Sequence, residues 1–248
     1  MKTCPGKTIL LLIITSKWCI NGLTLGSLRP EIPRIKVDEV SKIVSQVLDG
    51  DVSEESRKIQ VQNVSANFKC NYEDQQLVYG ELSIPTLATI FDAVGVYENE
   101  KFLDIGSGDG ALVFATALLY EDIIMSRGVE LVPELVERSQ TYRLGFPENV
   151  DRVEFHCGDI YDCDETLENM LKDTSLIVCF ATTWSKGSPS RRLPKLSETL
   201  GIHLAPGSRV VIVDGKLDEK DGLRWDGDLK IFCPDTAPYS IASLYEKI

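Results

Sequence analysis

The sequence predicts an α/β fold built on a mostly parallel sheet. Residues 101–105 are a short, largely apolar run that turns through Gly106, Gly108 and Gly110 into a segment with apolar residues at helical spacing. The later run 175–180 is apolar after its first residue, as expected for a strand covered on both faces. The predicted strands are 101–105, 127–130, 152–156, 175–180 and 209–214. Helical segments beginning at Pro133 and spanning 190–204 separate several of them, which is typical of a parallel sheet.

The glycine corner after the first strand favours a nucleotide-type ligand. Glycines permit a tight turn and close backbone approach, and the helix that follows presents free N–H groups. The spacing Gly106-x-Gly108-x-x-Ala111 also satisfies a dinucleotide fingerprint, so NAD competes with S-adenosylmethionine (SAM). Asp104 favours SAM, because a carboxylate at the strand end attracts an ammonium and repels a pyrophosphate.

Acidic residues recur at the ends of the next two predicted strands. Glu130 ends the second strand, where an acid can accept two hydrogen bonds from a ribose diol. Asp159 and Ile160 follow the third, where an acid and an apolar side chain can bracket an adenine. Because ligands bind outside the carboxyl ends of strands in open α/β sheets, these residues are predicted to share one site.

The end of the chain departs from a dinucleotide-binding pattern. Residues 229–233 and 240–245 are predicted strands joined through Pro-Asp-Thr-Ala-Pro, which indicates a hairpin. A terminal antiparallel hairpin in place of a sixth parallel strand argues against NAD.

The series Asp-Ile-Gly-Ser-Gly-Asp-Gly, Gly-Val-Glu-Leu and Gly-Asp-Ile resembles the class I SAM-dependent methyltransferases. The segment Val-Tyr-Gly-Glu-Leu-Ser at 78–83 is similar to a loop of the DOT-type (disruptor of telomeric silencing) histone lysine methyltransferases, which folds over the methionine end of the cofactor. The resemblance implies a Rossmann-like seven-stranded class I methyltransferase sheet, mostly parallel with a C-terminal antiparallel hairpin. It also implies SAM as cofactor and lysine N-methylation as activity.

The resemblance implies a role for each residue of the site. Tyr79 would contact the carboxylate end of the cofactor and Glu81 would support the loop. Asp104 and Gly106, with Gly108 and Gly110, would hold the amino-acid portion. Glu130 would bind the ribose, and Asp159 with Ile160 the adenine.

Two positions depart from the family pattern. Leu82 stands where the family usually has a threonine that helps to bind the carboxylate. After the fourth strand the family carries an Asn-rich segment near the target lysine, whereas this chain has Phe-Ala-Thr-Thr-Trp at 180–184. Cofactor binding is little affected by this change, but histone specificity is not supported by it. A small-molecule or lipid methyltransferase, and a degenerate SAM-binding interaction module, therefore remain as alternatives.

Tyr79, Phe180 and Trp184 are the residues predicted to line the acceptor channel. A lysine has an unperturbed pKa of about 10.4, and an apolar, aromatic channel lowers that pKa by desolvation. Ordinary packing is the competing interpretation for the last two residues. No general base is evident, and no metal site is predicted because the chain has no Cys-x-x-Cys spacing.

Composition supports one globular domain and a basic protein partner. The chain has 248 residues, of which 43% are hydrophobic, and a formal net charge of -12. An acidic surface repels nucleic-acid phosphates and attracts a basic protein such as a histone. We expect a helical N-terminal extension at 27–75, with its apolar residues at helical spacing, and a methyltransferase domain at 76–248.

Residues 1–26 are predicted to be a signal or targeting segment. A basic start is followed by a short apolar run at 8–15 and by small residues at 22 and 26. The run is too short to span a bilayer comfortably. This pattern indicates the secretory pathway or an organelle, whereas the DOT-type resemblance implies the nucleus if the segment is not a signal.

Overall fold

The computed structural model describes residues 32–50, 54–68, 80–146, 151–182, 184, 190–233 and 237–248. The helices are α1 Arg34–Asp49, α2 Glu54–Asn67, α3 Ile84–Val94, α4 Ala111–Leu119, α5 Pro133–Arg143, α6 Glu165–Lys172 and α7 Pro194–His203. The strands are β1 Glu100–Ile105, β2 Ile123–Glu130, β3 Val153–Cys157, β4 Leu176–Phe180, β5 Arg209–Val213, β6 Leu223–Cys233 and β7 Ala237–Lys247. The predicted targeting segment and Tyr79 lie outside the described residues.

The strands form one seven-stranded sheet in the order β3-β2-β1-β4-β5-β7-β6. Strands β1 to β5 pair in parallel, and β7 runs antiparallel to both β5 and β6. The predicted fold class, including the C-terminal antiparallel hairpin, is confirmed. The order reverses between β1 and β4, which places a crevice at their carboxyl ends.

Side-chain alternation along β1 divides the core into two layers. Phe102 packs into a cluster with α1, α3 and α4 on one face of the sheet. Leu103 and Ile105 point to the other face and pack with α6 and α7. Asp104 lies on the same side of β1 as Phe102, yet it stands at the carboxyl edge of the sheet, where the crevice is.

Two helices precede the sheet and are held against it. The first, α1, buries Val37, Val40, Val44 and Leu48 along one stripe and leaves Ile43 38% exposed. The second, α2, places Val61 in a separate small cluster with Val132 and Leu135 at the start of α5. The helical extension thus contacts the helices that flank the glycine corner. No helix in the described part of the chain is long and apolar enough to cross a membrane.

Strand β7, Ala237–Lys247, is longer at both ends than the predicted 240–245, and two further strands begin earlier than the sequence pattern predicts. β2 begins at Ile123, where Glu100 of β1 pairs with it, rather than at residue 127. β6 begins at Leu223 rather than at 229, and its register shifts near Gly227. Both extensions lie away from the crevice.

Candidate cofactor and acceptor site

The glycine corner is a backbone turn with three glycines in a conformation that other residues rarely adopt. Gly106, Gly108 and Gly110 have φ values of 80°, 57° and 92°, in the left-handed region. The N–H groups of Gly106 and Ser107 donate to the carbonyl of Val129 on β2, at 2.9 and 3.1 Å. The turn is therefore fixed to the neighbouring strand before α4 begins.

Aromatic side chains approach this backbone closely. A Cβ at Gly106 would lie 3.2 Å from Cζ2 of Trp184, and one at Gly110 would lie 2.6 Å from Cζ of Phe155. A side chain at Gly106 or Gly110 would therefore crowd an aromatic ring as well as strain the backbone. Trp184, predicted from the segment after β4, does reach the glycine corner.

Asp104 is a buried carboxylate that faces a second acid. It ends β1 and is 3% exposed. Burial, with a smaller contribution from the charge of Glu130, raises the pKa of Asp104 to about 7. Among the described residues, none forms an ion pair or hydrogen bond with this carboxylate. A cation placed beside it would therefore stabilise the ionised form and bring its pKa down.

Glu130 joins the end of β2 to the glycine corner. Its Oε2 accepts a hydrogen bond from the N–H of Gly108 and its Oε1 one from Val132, both at 2.9 Å. Burial raises the pKa of Glu130, and these N–H donors oppose that rise. The N–H of Leu131 also contributes to this stabilisation, so of the roughly four acceptor positions of the carboxylate about one remains for a ligand hydroxyl.

The loop after β3 completes this wall of the crevice. The N–H of Gly158 donates to the carbonyl of Glu130 at 3.0 Å, so the loop is held beside β2. Asp159 accepts from the N–H of Tyr161 at 2.9 Å, and Ile160 is buried in the cluster behind the sheet. The acid and the apolar residue therefore lie next to the acid that ends β2.

Phe180 and Trp184 bring the segment after β4 to the same edge. A Cβ at Gly80 would lie 3.2 Å from Cε1 of Phe180, so the loop before α3 passes over that ring. The Trp184 ring lies edge-on to Tyr161, with centroids 6.1 Å apart. The aromatic residues predicted for an acceptor channel are thus placed between the loop and the glycine corner. Leu82, the first departure from the family pattern, is buried in the core.

A buried ion cluster links Glu81 to the glycine corner through a residue that the sequence did not indicate. Arg57, on α2, donates from Nη1 to both oxygens of Asp109 at 3.1 and 2.9 Å. Its Nη2 pairs with Glu81, and its Nε lies 2.6 Å from Oδ1 of Asp49. No sequence motif predicts that an arginine on a separate helix contacts this site. For Asp109, the only indication of a role was its position between two glycines.

A second cluster, also missed, lies at the end of β5. Asp214 accepts from the hydroxyls of Thr182 and Ser240, at 3.1 and 2.9 Å, and from the N–H of Ile241 at 3.1 Å. Arg191 lies 3.4 Å from the same carboxylate. The segment after β4 is therefore tied to the start of the hairpin strand β7. A cluster of His, Cys, Asp and Glu able to hold a metal is absent from the residues described.

The three acids that end β1, β2 and follow β3 make this edge suited to a ligand with an ammonium and hydroxyls. A pyrophosphate would meet the buried carboxylates of Asp104 and Glu130, and like charges repel strongly where water is excluded. The geometry therefore favours SAM over NAD, in agreement with the interpretation of the sequence.

Comparison with protein families places part of the chain in one of them. The model of the family "Histone methylation protein DOT1" matches residues 58–173, which include Glu81, the glycine corner, Glu130, Asp159 and Ile160. No curated protein shows a significant match to the chain.

The solved structures that match the chain have low sequence identity and TM-scores below 0.5. TrmN from Thermus thermophilus is 13% identical with a TM-score of 0.43, and the match covers 61% of this chain and 45% of that one. MtNAS in complex with MTA and tNA is 14% identical with a TM-score of 0.47, covering 88% and 74%. YcgJ from Bacillus subtilis is 14% identical with a TM-score of 0.40, covering 60% and 90%.

The strand order of the sheet confirms the predicted fold class. Over residues 58–173 the chain resembles the DOT-type histone methylation family, and this match agrees with the sequence motifs in favouring SAM as the cofactor.

Proposed function

We propose that the chain is a protein-lysine N-methyltransferase of DOT type. The observation that carries the donor half of this proposal is Asp104, a buried carboxylate without a cationic partner among the described residues. A buried acid of this kind is unfavourable unless a cation joins it, and the ammonium of SAM is such a cation. The acceptor half is supported by the family match and by the aromatic residues at the same edge.

The residues present fit SAM along its length. Asp104 would bind the ammonium, and the glycine turn leaves backbone room for the amino-acid portion. Glu130 would accept a hydrogen bond from a ribose hydroxyl at the acceptor position that its three backbone N–H donors leave open. Asp159 would accept from the adenine amino group while Ile160 packs against the ring. When bound, the cofactor supplies an electrophilic methyl group on a sulfonium.

The protein's contribution to the transfer is alignment and desolvation of the acceptor. Phe180 and Trp184 would form apolar walls for a lysine side chain and exclude water from its amino group. Desolvation lowers the pKa of the lysine, so that the neutral amine with its lone pair is more populated. Because no general base is evident beside these rings in the described residues, the amine would lose its proton to solvent before it enters.

Electrostatics support a basic protein as the partner. The net charge of -12 favours approach of a lysine-rich segment and disfavours a nucleic-acid phosphate backbone. Arg191 and Arg192 pair with Asp214 and Asp218, so neither is a free phosphate contact. A histone, or another basic protein, is the substrate class that fits.

The absence of the family's asparagines after β4 raises the alternative of a SAM-binding domain without transferase activity. In this chain Thr182, in the segment that replaces them, is held by Asp214. This contact orders the segment after β4 by a route other than an asparagine, and supports retained rather than lost activity.

Labelled methyl transfer tests the proposal. The purified full chain is incubated with methyl-labelled SAM, at a concentration below the dissociation constant of the variant, and either histones or a whole-cell protein extract, with Asp104→Asn as the control that binds SAM weakly. We expect label in protein, at lysine, and its loss when the lysines are acetylated beforehand. Label in a lipid or small-molecule fraction, or label that survives lysine acetylation, would contradict the acceptor. No transfer by a chain that binds SAM would indicate the non-enzymatic alternative.

A further inference from the structure

Arg57 is a buried cation at the centre of three carboxylates that come from three different parts of the chain. Asp49 is at the end of α1, Glu81 is in the loop before α3, and Asp109 is in the glycine corner. The arginine is 7% exposed and Asp109 is fully buried. Each carboxylate contacts a different nitrogen of the guanidinium, so the planar group fixes their relative positions.

Two of these partners belong to the cofactor side of the crevice. Asp109 lies between Gly108 and Gly110, and Glu81 follows Gly80, whose backbone passes over Phe180. The guanidinium therefore connects the predicted cofactor loop directly to the glycine turn. Without a cation between them, the two acids would repel each other across a water-poor space.

The helix that carries Arg57 is anchored independently of this cluster. Val61, one turn further along α2, is completely buried against Val132 and Leu135. Val132 also donates its N–H to Glu130. The arginine is thus held by a helix that is fixed beside the ribose acid, and it reaches across to the loop at the opposite side of the corner.

We propose that Arg57 is a positioning residue for SAM binding, which holds the loop at Glu81 closed against the glycine corner at Asp109. The proposal rests on the SAM-dependent function proposed above and extends it to the N-terminal helices. It makes the segment before the family match, which begins at residue 58, part of the machinery that determines cofactor affinity. Arg57 acts through the loop and does not itself contact the cofactor.

The chain contains a matched ion pair that separates positioning from stability. Arg209, at the start of β5, donates from Nη2 to both oxygens of Glu100 at 2.7 and 2.8 Å, and both side chains are as buried as Arg57. This pair lies at the amino edge of the parallel strands, opposite the crevice. Loss of either arginine removes a buried charge from an ion pair, but only Arg57 touches the cofactor loop.

The test compares Arg57→Lys with Arg209→Lys in the full-length protein. The dissociation constant for SAM is measured by calorimetry well below the unfolding temperature, and the unfolding temperature is measured without SAM. Lysine keeps the charge but cannot bridge three carboxylates, so we expect Arg57→Lys to weaken SAM binding by about tenfold or more. Arg209→Lys should lower the unfolding temperature and leave the dissociation constant within about twofold of the wild type.

Glu81→Gln provides a second variant that leaves α2 and the glycine corner unchanged. It should weaken SAM binding as well. In the double variant with Arg57→Lys, the loss of binding free energy should be smaller than the sum of the two single losses, because both substitutions remove the same contact. Equal SAM affinity in the wild type, Arg57→Lys and Glu81→Gln would overturn the positioning role. Absence of SAM binding by the wild type would overturn the cofactor assignment as well, so the two failures are distinguishable.

Discussion

Glu130 accepts a hydrogen bond from the N–H of Gly108 at 2.9 Å, across the gap between the ends of β1 and β2. The acid predicted to bind the ribose is therefore also a support for the glycine turn. Its other oxygen accepts from Val132, at the start of α5. A single carboxylate thus fixes two backbone segments that border the crevice.

Replacement of Glu130 by glutamine should weaken SAM binding by at least about tenfold, because the amide NH₂ would face a backbone N–H donor and because a ribose acceptor is lost. Calorimetric titration with SAM measures the change. Glu154→Gln is the matched control, since that acid lies on the neighbouring strand β3 and pairs with Arg127 away from the crevice. Equal effects of the two substitutions would contradict the role of Glu130.

SAM binding should tighten as the pH rises. The pKa of Asp104 is about 7, and the ammonium of SAM binds the ionised carboxylate. Binding therefore releases a proton below this pH, and we expect the dissociation constant to be about thirtyfold larger at pH 5.5 than at pH 8. Asp109, whose pKa burial raises to about 6 against the opposing effect of Arg57, titrates nearby. The Asp104→Asn variant isolates Asp104, because its weaker binding should lose most of this pH dependence.

Ionisation of Asp104 should strengthen SAM binding but destabilise the protein without SAM, so the free energy of unfolding should fall as the pH rises. A carboxyl group whose folded pKa lies above its unfolded value of 3.8 stabilises the fold below that value, and the contribution is lost as the pH rises through about 7. Asp104→Asn removes the charge, so it should raise the free energy of unfolding at pH 8 by on the order of 2–4 kcal/mol and change it little at pH 4. Chemical denaturation at both pH values, without SAM, measures the difference. If the variant were less stable than the wild type at pH 8, ionised Asp104 would not destabilise the fold, and this prediction would be wrong.

Gly110→Ala should destabilise the protein far more than Gly207→Ala. Both glycines have left-handed φ values, 92° and 88°, so both substitutions add backbone strain of about 1 kcal/mol. At Gly110 the new Cβ would also meet the ring of Phe155 at 2.6 Å, whereas nothing lies within 4 Å at Gly207. We expect a further loss of about 1–3 kcal/mol at Gly110 and weaker SAM binding. Denaturant midpoints of the two variants measure the steric effect directly, and equal midpoints would contradict it.

Local patterns in the sequence predicted the part of the site that lies at strand ends. Asp104, the glycine turn and Glu130 could be identified because each is defined by a few consecutive residues at the end of an apolar run. The parallel order of β1 to β5 then brings them together at one edge. Phe180 and Trp184 were placed at the same edge because Phe180 ends β4 and Trp184 lies four residues later.

Other features depend on contacts that the sequence does not encode locally. The cluster around Arg57 joins residues 52 positions apart, and nothing in α2 distinguishes this arginine from a solvated one. Helix α3 was not predicted, because its exposed stripe is narrow and contains only two polar residues, Thr89 and Asp92, so the polar face that would reveal a helical period is weak. The early start of β6 was missed because an edge strand with polar residues and an irregular glycine gives a weak alternation.

Titration of the purified wild-type protein with SAM and with NAD at pH 8, alongside Asp104→Asn, tests the central claim that the acids at the ends of β1 and β2 form a SAM site. We predict saturable binding of SAM, no detectable binding of NAD, and a loss of at least about tenfold in SAM affinity in the variant, because a buried charge-assisted contact is removed. Binding of NAD in preference to SAM, or undiminished SAM binding by the variant, would contradict the account.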